Sequence, residues 1–232
     1  MTLLGVADDP SCYSQLVNDW ICPAYVSDRQ QEIVDATIQH IGITVVSVVL
    51  GLLIAFPLAL AARRLPRLES TILAATTGIY TVPSLALFPL LVPFTGLTAT
   101  TVVIGLALYA LTILVRSLLE GLRSVPDEVR ESATGLGYGR GQLLLKVELP
   151  LALPVMMAGL RVATVSTVAL TTVGSLVAYG GLGNLIKDGV LTDFRAELFT
   201  ASLLCVLLAF VLDGLLVLAQ RVMTPWTRGA RA

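Results

Sequence analysis

Few residues of this 232-residue chain are equipped for bond-making chemistry, and those few are scattered. The one histidine, His40, would need a partnered nucleophile to act as a general base, and none is spaced for it. Cys12 and Cys22 with His40 make no closed ligand set, so no metal site is expected. Gly180, Gly181 and Gly183 lack the following Gly-Lys-Ser/Thr of a phosphate loop, and the chain has no Walker motif. No catalytic residue is expected, and the chain does not read as an enzyme. Two charges do stand out, Arg161 and Asp213, each set inside an apolar run. An ionisable group within a membrane is a candidate functional site by default. For Arg161, snorkelling toward an interface or a structural ion pair stands ahead of a transport role. Pairing with Asp213 is open.

The other conspicuous chemistry is recognition. Residues 120–150, EGLRSVPDEVRESATGLGYGRGQLLLKVELP, hold nine of the 31 charged residues (15 basic, 16 acidic). Pro126-Asp127-Glu128 predicts a helix start, with Ser124 or Asp127 as cap and acids where the helix dipole favours them. Val129, Ala133 and Leu136 are spaced to share an apolar face. Gly135, Gly137, Gly139 and Gly141 follow at alternate positions, and each would weaken an ordinary helix by about 1 kcal/mol. Such a run suits backbone that turns sharply or lies close to another surface. Helix resumes over 142–147 and leads into Glu148-Leu149-Pro150. The pattern predicts a short helix across one mouth of a bundle, joined to it by a tight elbow and gripped by a partner. An unpartnered surface loop is the alternative.

The elements that must position this helix are apolar. The chain is 56% hydrophobic and 13% charged, with a mean hydropathy of +0.85, where a soluble domain carries about 25% charged residues. Five stretches, at about 41–62, 71–94, 98–116, 151–177 and 198–220, approach or exceed the roughly 20 residues that cross a bilayer. The expected fold is an all-α polytopic membrane protein of five transmembrane helices. The net charge of −1 gives no reason to expect nucleic-acid binding. Residues 1–39 carry six acids and only Arg29 as a base, unlike a signal peptide.

Eleven of the basic residues fall after the first, third and fifth spans: Arg63, Arg64, Arg67, Arg116, Arg123, Arg130, Arg140, Lys146, Arg221, Arg228 and Arg231. Only Arg29, Lys187 and Arg195 lie on the opposite side. Short loops so biased face the cytoplasm, so the N-terminus is expected outside and the charged loop and C-terminus inside. Cys12 and Cys22 then fall in an exported tail where a disulfide could persist, and a bridge or two free thiols are both open. Cys205 reads as a small buried hydrophobe.

Within the spans, Gly78, Pro83, Pro89 and Pro93 interrupt the second, because proline removes a helix hydrogen bond. Tyr80, Thr81 and Ser84 at the break, with Tyr109 of the third span, could line a pathway, or the break is a structural kink. His40 is placed near the outer interface, its ring tip reaching headgroups. Pro150 and Pro154 open the fourth span. Residues 178–194 predict a helix stop and then a short re-entrant or interfacial helix.

At residues 131–150 the chain resembles a known family. Glu131-Ser132-Ala133, Gly137 and Leu149-Pro150 match the EAA loop of ABC-importer permeases, with Ser132 where alanine is usual. TVPSLAL at 81–87, LYAL at 108–111, VELPLALPVMMAGLR at 147–161 and YGGLGNLI at 179–186 are similar to permeases of the glycine betaine/carnitine/choline group. The resemblance spans roughly 35–222. It implies a type I importer permease fold with a cytoplasmic coupling helix, the EAA loop lying at about 126–150. The implied organisation is an exported tail at 1–34, a transmembrane domain at 35–222 and a cytoplasmic tail at 223–232.

The resemblance also implies partners. These are two cytoplasmic ATPases, a second permease subunit (identical or related), an external solute-binding protein and the bilayer of a bacterial cell membrane. ATP and Mg belong to the partner ATPase, and this chain needs no cofactor. Glu131, Ser132, Ala133, Gly135, Leu136 and Gly137 are the implied ATPase-docking residues. The implied solute is glycine betaine, carnitine, choline or proline, with a different small polar or cationic solute as the alternative. A membrane enzyme would cluster acids, histidines or metal ligands at one depth, and those residues are isolated here. A pure scaffold would leave the glycine elbow unexplained.

Overall fold

The computed structural model describes Cys12, Ser14 and residues 17–226. Asp8, Asp9, Tyr13, Arg228 and Arg231 lie outside the described residues. In chain order the helices are α1 (Pro23–Asp28), α2 (Gln30–Arg64), α3 (Pro66–Thr81), α4 (Ser84–Thr95), α5 (Ala99–Arg123), α6 (Asp127–Gly135) and α7 (Arg140–Leu143). A π turn (Leu144–Glu148), α8 (Leu149–Thr171), a 3-10 turn (Thr172–Val177), α9 (Leu182–Leu191) and α10 (Arg195–Met223) follow. Four helical stretches, 30–64, 99–123, 140–177 and 195–223, are each long and apolar enough to cross a membrane. Counting α3 and α4, which meet at 98°, as one broken crossing gives five.

α5 runs through the middle, packed on by α2, α3, α4 and α8. Gly51, Ala55, Ala59 and Ala62 recur along one face of α2 and are buried there. A Cβ on Gly51 would sit 3.2 Å from the Ala110 Cβ and 3.4 Å from the Ala107 carbonyl, so α2 and α5 lie backbone against backbone. Small residues permit such approach, and in lipid dispersion contacts replace the hydrophobic effect between helices. Leu111, Leu114, Val115, Leu118 and Leu122 of α5 then fill the core with Ala152, Met156 and Ala163 of α8. Hydroxyls in this core are satisfied locally. Thr164, Thr167 and Thr171 donate to carbonyls four residues back, and Thr44 and Thr171 meet between α2 and α8 at 3.2 Å.

Two expectations are corrected. His40 is wholly buried, its Nε2 3.0 Å from the Val168 carbonyl, because the turn at Gly180-Gly181 folds over it from the end of the bundle. Pro150 does stand in the first turn of α8, but the fourth crossing does not open there: helix runs from Arg140, and the π turn ends two residues before the proline. Pro150 has no N–H, and its ring crowds the carbonyl four residues back. The Leu149 N–H therefore reaches the Leu144 carbonyl, widening the turn.

At the α9 end of the bundle, Cys12 and Cys22 are joined, with Cα atoms 5.6 Å apart, and the Cys22 Sγ caps α1 at the Tyr25 N–H. Burial, with the Glu197 and Glu32 carboxylates nearby, holds the Tyr25 hydroxyl well above the usual phenol range. The Tyr25 ring stands edge-on to Phe194 at 5.1 Å. Asn18 accepts from the Arg195 N–H and donates to the Asp193 carbonyl, and Arg195 lies over the Trp20 ring. These contacts clamp the tail to the start of α10. The turn before α9 is as tightly held: Gly180 and Gly181 donate their N–H groups to Asn184 and Gln39.

A Cβ on Gly183 would lie 2.3 Å from the Thr172 carbonyl oxygen, whereas one on Gly42 meets nothing within 4 Å. Gly183→Ala is expected to destabilise the detergent-solubilised protein by about 1–3 kcal/mol. Gly42→Ala should leave it unchanged or slightly more stable, and thermal unfolding of both variants checks the contrast.

Candidate functional site

The break between α3 and α4 is built from Pro83. Without a proline N–H, the Ile79 carbonyl takes the Val82 N–H at 3.1 Å, and the last turn of α3 tightens. Carbonyls displaced there find side chains. Gly78 receives the Thr81 hydroxyl at 2.7 Å, Thr76 receives Thr112 at 2.6 Å, and Val82 receives the Tyr109 hydroxyl from α5. Tyr80 stands edge-on to Tyr109, ring centres 5.7 Å apart. Of the four expected pathway residues the structure thus brings two into contact, Tyr80 exposed and Tyr109 buried. Thr81 is exposed beside them and Ser84 opens α4. Arg116 of α5 reaches the Thr77 hydroxyl at 2.9 Å on the same side.

Arg161 and Asp213 meet between α8 and α10. Nε and Nη2 of the guanidinium donate to the two carboxylate oxygens, each at 2.7 Å. A planar fork against a carboxylate is the strongest geometry open to such a pair. It lies in a groove of about 650 Å3 whose other lining includes Val162, Val165, Val206 and Phe210. Pairing leaves a neutral unit where either charge alone would stand among apolar side chains.

At the opposite end of the bundle from α9, α6 stands out from the helices. Its N-cap is Pro126, with no side-chain cap, while Ser124 closes α5 instead by donating to the Gly121 carbonyl. α6 ends in a Schellman arrangement: Gly137, at φ +86°, donates to the Thr134 carbonyl, and Tyr138 donates to that of Ala133. Among the expected docking residues only Ala133 faces inward. Glu131, Ser132, Gly135, Leu136 and Gly137 are exposed, Leu136 by 80%. A groove of about 390 Å3 runs beside them, lined by Val129, Ser132, Leu136, Tyr138 and Val147. An exposed leucine beside an apolar groove on a short charged helix has the chemistry that suits protein contact.

Beneath α6 lies a cluster that residue types alone did not reveal. The Glu148 side chain, 4% exposed, accepts Arg63 from the end of α2 through both carboxylate oxygens, one contact at 2.7 Å. Arg130 of α6 brings its Nε to 3.0 Å of the same carboxylate. The Arg130 Nη2 donates to the Leu122 carbonyl at 2.6 Å and its Nη1 to Asp127 at 2.5 Å. The only sequence signal for this junction was an acid wedged between Val147 and Leu149 at the mouth of a span.

A family model described as binding-protein-dependent transport system inner membrane component matches residues 47–229. The chain is 35% identical over 207 residues to the osmoprotectant import permease protein OsmW of Salmonella typhimurium, covering 87% of this chain and 96% of that one. It is 32% identical over 194 residues to the choline transport system permease protein OpuBB of Bacillus subtilis, covering 84% and 89%. It is 33% identical over 190 residues to the carnitine transport permease protein OpuCB of Listeria monocytogenes, covering 82% and 87%. A chain of the MetNI methionine ABC transporter, solved in inward-facing conformations, superimposes with a TM-score of 0.77 at 21% identity. That superposition covers 85% of this chain and 98% of the other, and it shows a shared fold.

Removing one member of the Arg161–Asp213 pair strands the other in an apolar groove. Arg161→Met is therefore expected to lower the thermal midpoint more than Arg161→Met with Asp213→Leu, where no bare charge remains. Unfolding of the single and double variants in one detergent measures the difference.

Proposed function

The chain belongs to the family of binding-protein-dependent transport inner-membrane components, as a permease subunit of the osmoprotectant group with a type I ABC-importer fold, and from there we propose what it carries and how it is driven. It is a multi-pass inner-membrane protein and not itself catalytic, ATP hydrolysis residing on a separate ATPase subunit. Its solute is a compatible solute of the glycine betaine, carnitine or choline type, delivered by an external binding protein. The names of the similar permeases support this reading. The transport unit runs over 35–222, with a tail at 1–34 on the outside and one at 223–232 in the cytoplasm.

The observation that carries the driving mechanism is α6. A nine-residue helix holds Glu131, Ser132, Gly135 and Leu136 bare at one mouth of the bundle. A cytoplasmic ATPase grips this face, and closure of the paired ATPases on ATP moves the helix. Orientation rests on charge: the end bearing α6 also carries Arg63, Arg64, Arg67, Arg123 and Arg140, the bias of a cytoplasmic face. The Cys12–Cys22 bridge at the other end agrees with an oxidising exterior. The route for the solute lies along Tyr80, Thr81, Ser84 and Tyr109 at the broken crossing, facing the paired permease subunit. The Arg161–Asp213 pair holds α8 to α10.

Glu131→Arg reverses charge on the exposed face without touching the bundle. It is expected to cut recovery of the ATPase in co-purification, and ATP-driven uptake with it, by roughly tenfold or more, the range of a disrupted interface hot spot. Retained assembly and uptake would remove the docking role.

Uptake of labelled glycine betaine, carnitine or choline into vesicles should require this chain, ATP and the binding protein together. Uptake without ATP sinks the importer reading. In intact cells, an impermeant thiol reagent should label a Ser27→Cys variant and spare Ser132→Cys.

A further inference from the structure

We propose that Glu148 is the positioning residue through which movement of α6 enters the membrane bundle, by holding Arg130 and Arg63 in one buried ion cluster. The inference rests on the reading of α6 as the ATPase-docking element.

The covalent route from α6 to α8 is poorly suited to carrying force. It passes through residues 135–141, where Gly135, Gly137, Gly139 and Gly141 have no neighbour within 4 Å of an added Cβ. Apolar packing is also thin. α6 buries one residue, Ala133, and packs mainly on α7 and the π turn. A push on such a helix would be absorbed by the glycine segment unless something stiffer bypasses it.

The bypass is the Glu148 carboxylate. It gathers Arg130 from α6 and Arg63 from the end of α2, while its own backbone sits in the π turn that opens α8. Arg130 also grips the Leu122 carbonyl in the last turn of α5. One charge cluster therefore joins α6 to three of the membrane crossings. The π turn at Pro150 sets the backbone from which this carboxylate reaches both partners.

Charge makes the cluster all-or-none. One buried carboxylate stands between two guanidinium groups, and Asp127, the other acid on Arg130, is exposed by 83%. Arg64 and Arg140 line the same small groove as Arg63 and Glu148. Without the Glu148 charge, α6 and the end of α2 present like charges to each other, and a buried charge that loses its partner is strongly disfavoured. In Glu148→Gln the shape of the side chain remains, and only the charge that binds the two helices goes.

The test uses the full complex of this chain with its paired permease subunit, ATPase and binding protein, reconstituted in vesicles. Glu148→Gln should still co-purify with the ATPase, and its basal ATP hydrolysis should stay within about twofold of the parent. Stimulation of hydrolysis by solute-loaded binding protein, and solute moved per ATP, should fall by roughly tenfold or more, the range of a lost coupling free energy. Glu148→Asp, which keeps the charge, should recover part of both. Arg63→Gln, remote from the docking face, should uncouple in the same way. The proposal is overturned if assembled Glu148→Gln or Arg63→Gln keeps its stimulation and its solute-to-ATP ratio. It is also overturned if both variants lose assembly, which would make the cluster a folding element. Failure of the parent complex to couple ATP to uptake, or intact docking of Glu131→Arg, strikes the functional reading instead.

Discussion

A carbonyl released from a helix inside hydrocarbon has no water to turn to, and this constraint organises the chain from end to end. Several irregularities in the crossings are answered by a side chain from another helix. Tyr109 and Thr112 of α5 serve the break at Pro83, and His40 of α2 reaches the Val168 carbonyl of α8. Asn184 receives the Gly180 N–H and donates to the Ala178 carbonyl where α9 begins. The same logic applies to charge: Arg161 and Asp213 are tolerable together in a groove where neither would be tolerable alone.

Rigidity and compliance are divided between the two ends. At the α9 end, glycine backbones press directly on α2 and on the turn after α8, and the tail is clamped by a disulfide and by Asn18. At the α6 end, Gly135, Gly137, Gly139 and Gly141 have open space around them, and a compact ion cluster ties α6 to the bundle. Glycine thus plays opposite parts in one chain. Gly183 allows close approach, whereas Gly137 permits a left-handed turn that ends a helix. The Arg63 fork holds the Glu148 carboxylate in orientation as well as distance, and Arg130 adds its charge at the edge of that pair.

Five apolar runs, the break at Pro83 and the short charged helix were legible because each depends on local composition or on proline and glycine chemistry. The EAA pattern at Glu131, Gly137 and Leu149-Pro150 was legible for the same reason, as a contiguous string. His40 was misplaced because its surroundings come from residues 128 and 141 positions away, Val168 and Gly181. Pro150 read as a helix start because a π turn has no signature of its own. The role of Glu148 has no local signature because its partner, Arg63, lies 85 positions earlier.

By itself the sequence determined that this chain crosses a membrane, where a crossing breaks, and where a short charged helix stands at its mouth. Those properties follow from hydropathy, backbone chemistry and exposed short-range motifs, all of which act within a few residues. Only the tertiary structure decided which charges are partnered. Arg161 with Asp213, and Arg63 and Arg130 with Glu148, are pairings across 18 to 85 positions. They exist because helices packed on small residues bring distant side chains to one depth, and burial then leaves each charge no alternative to its partner.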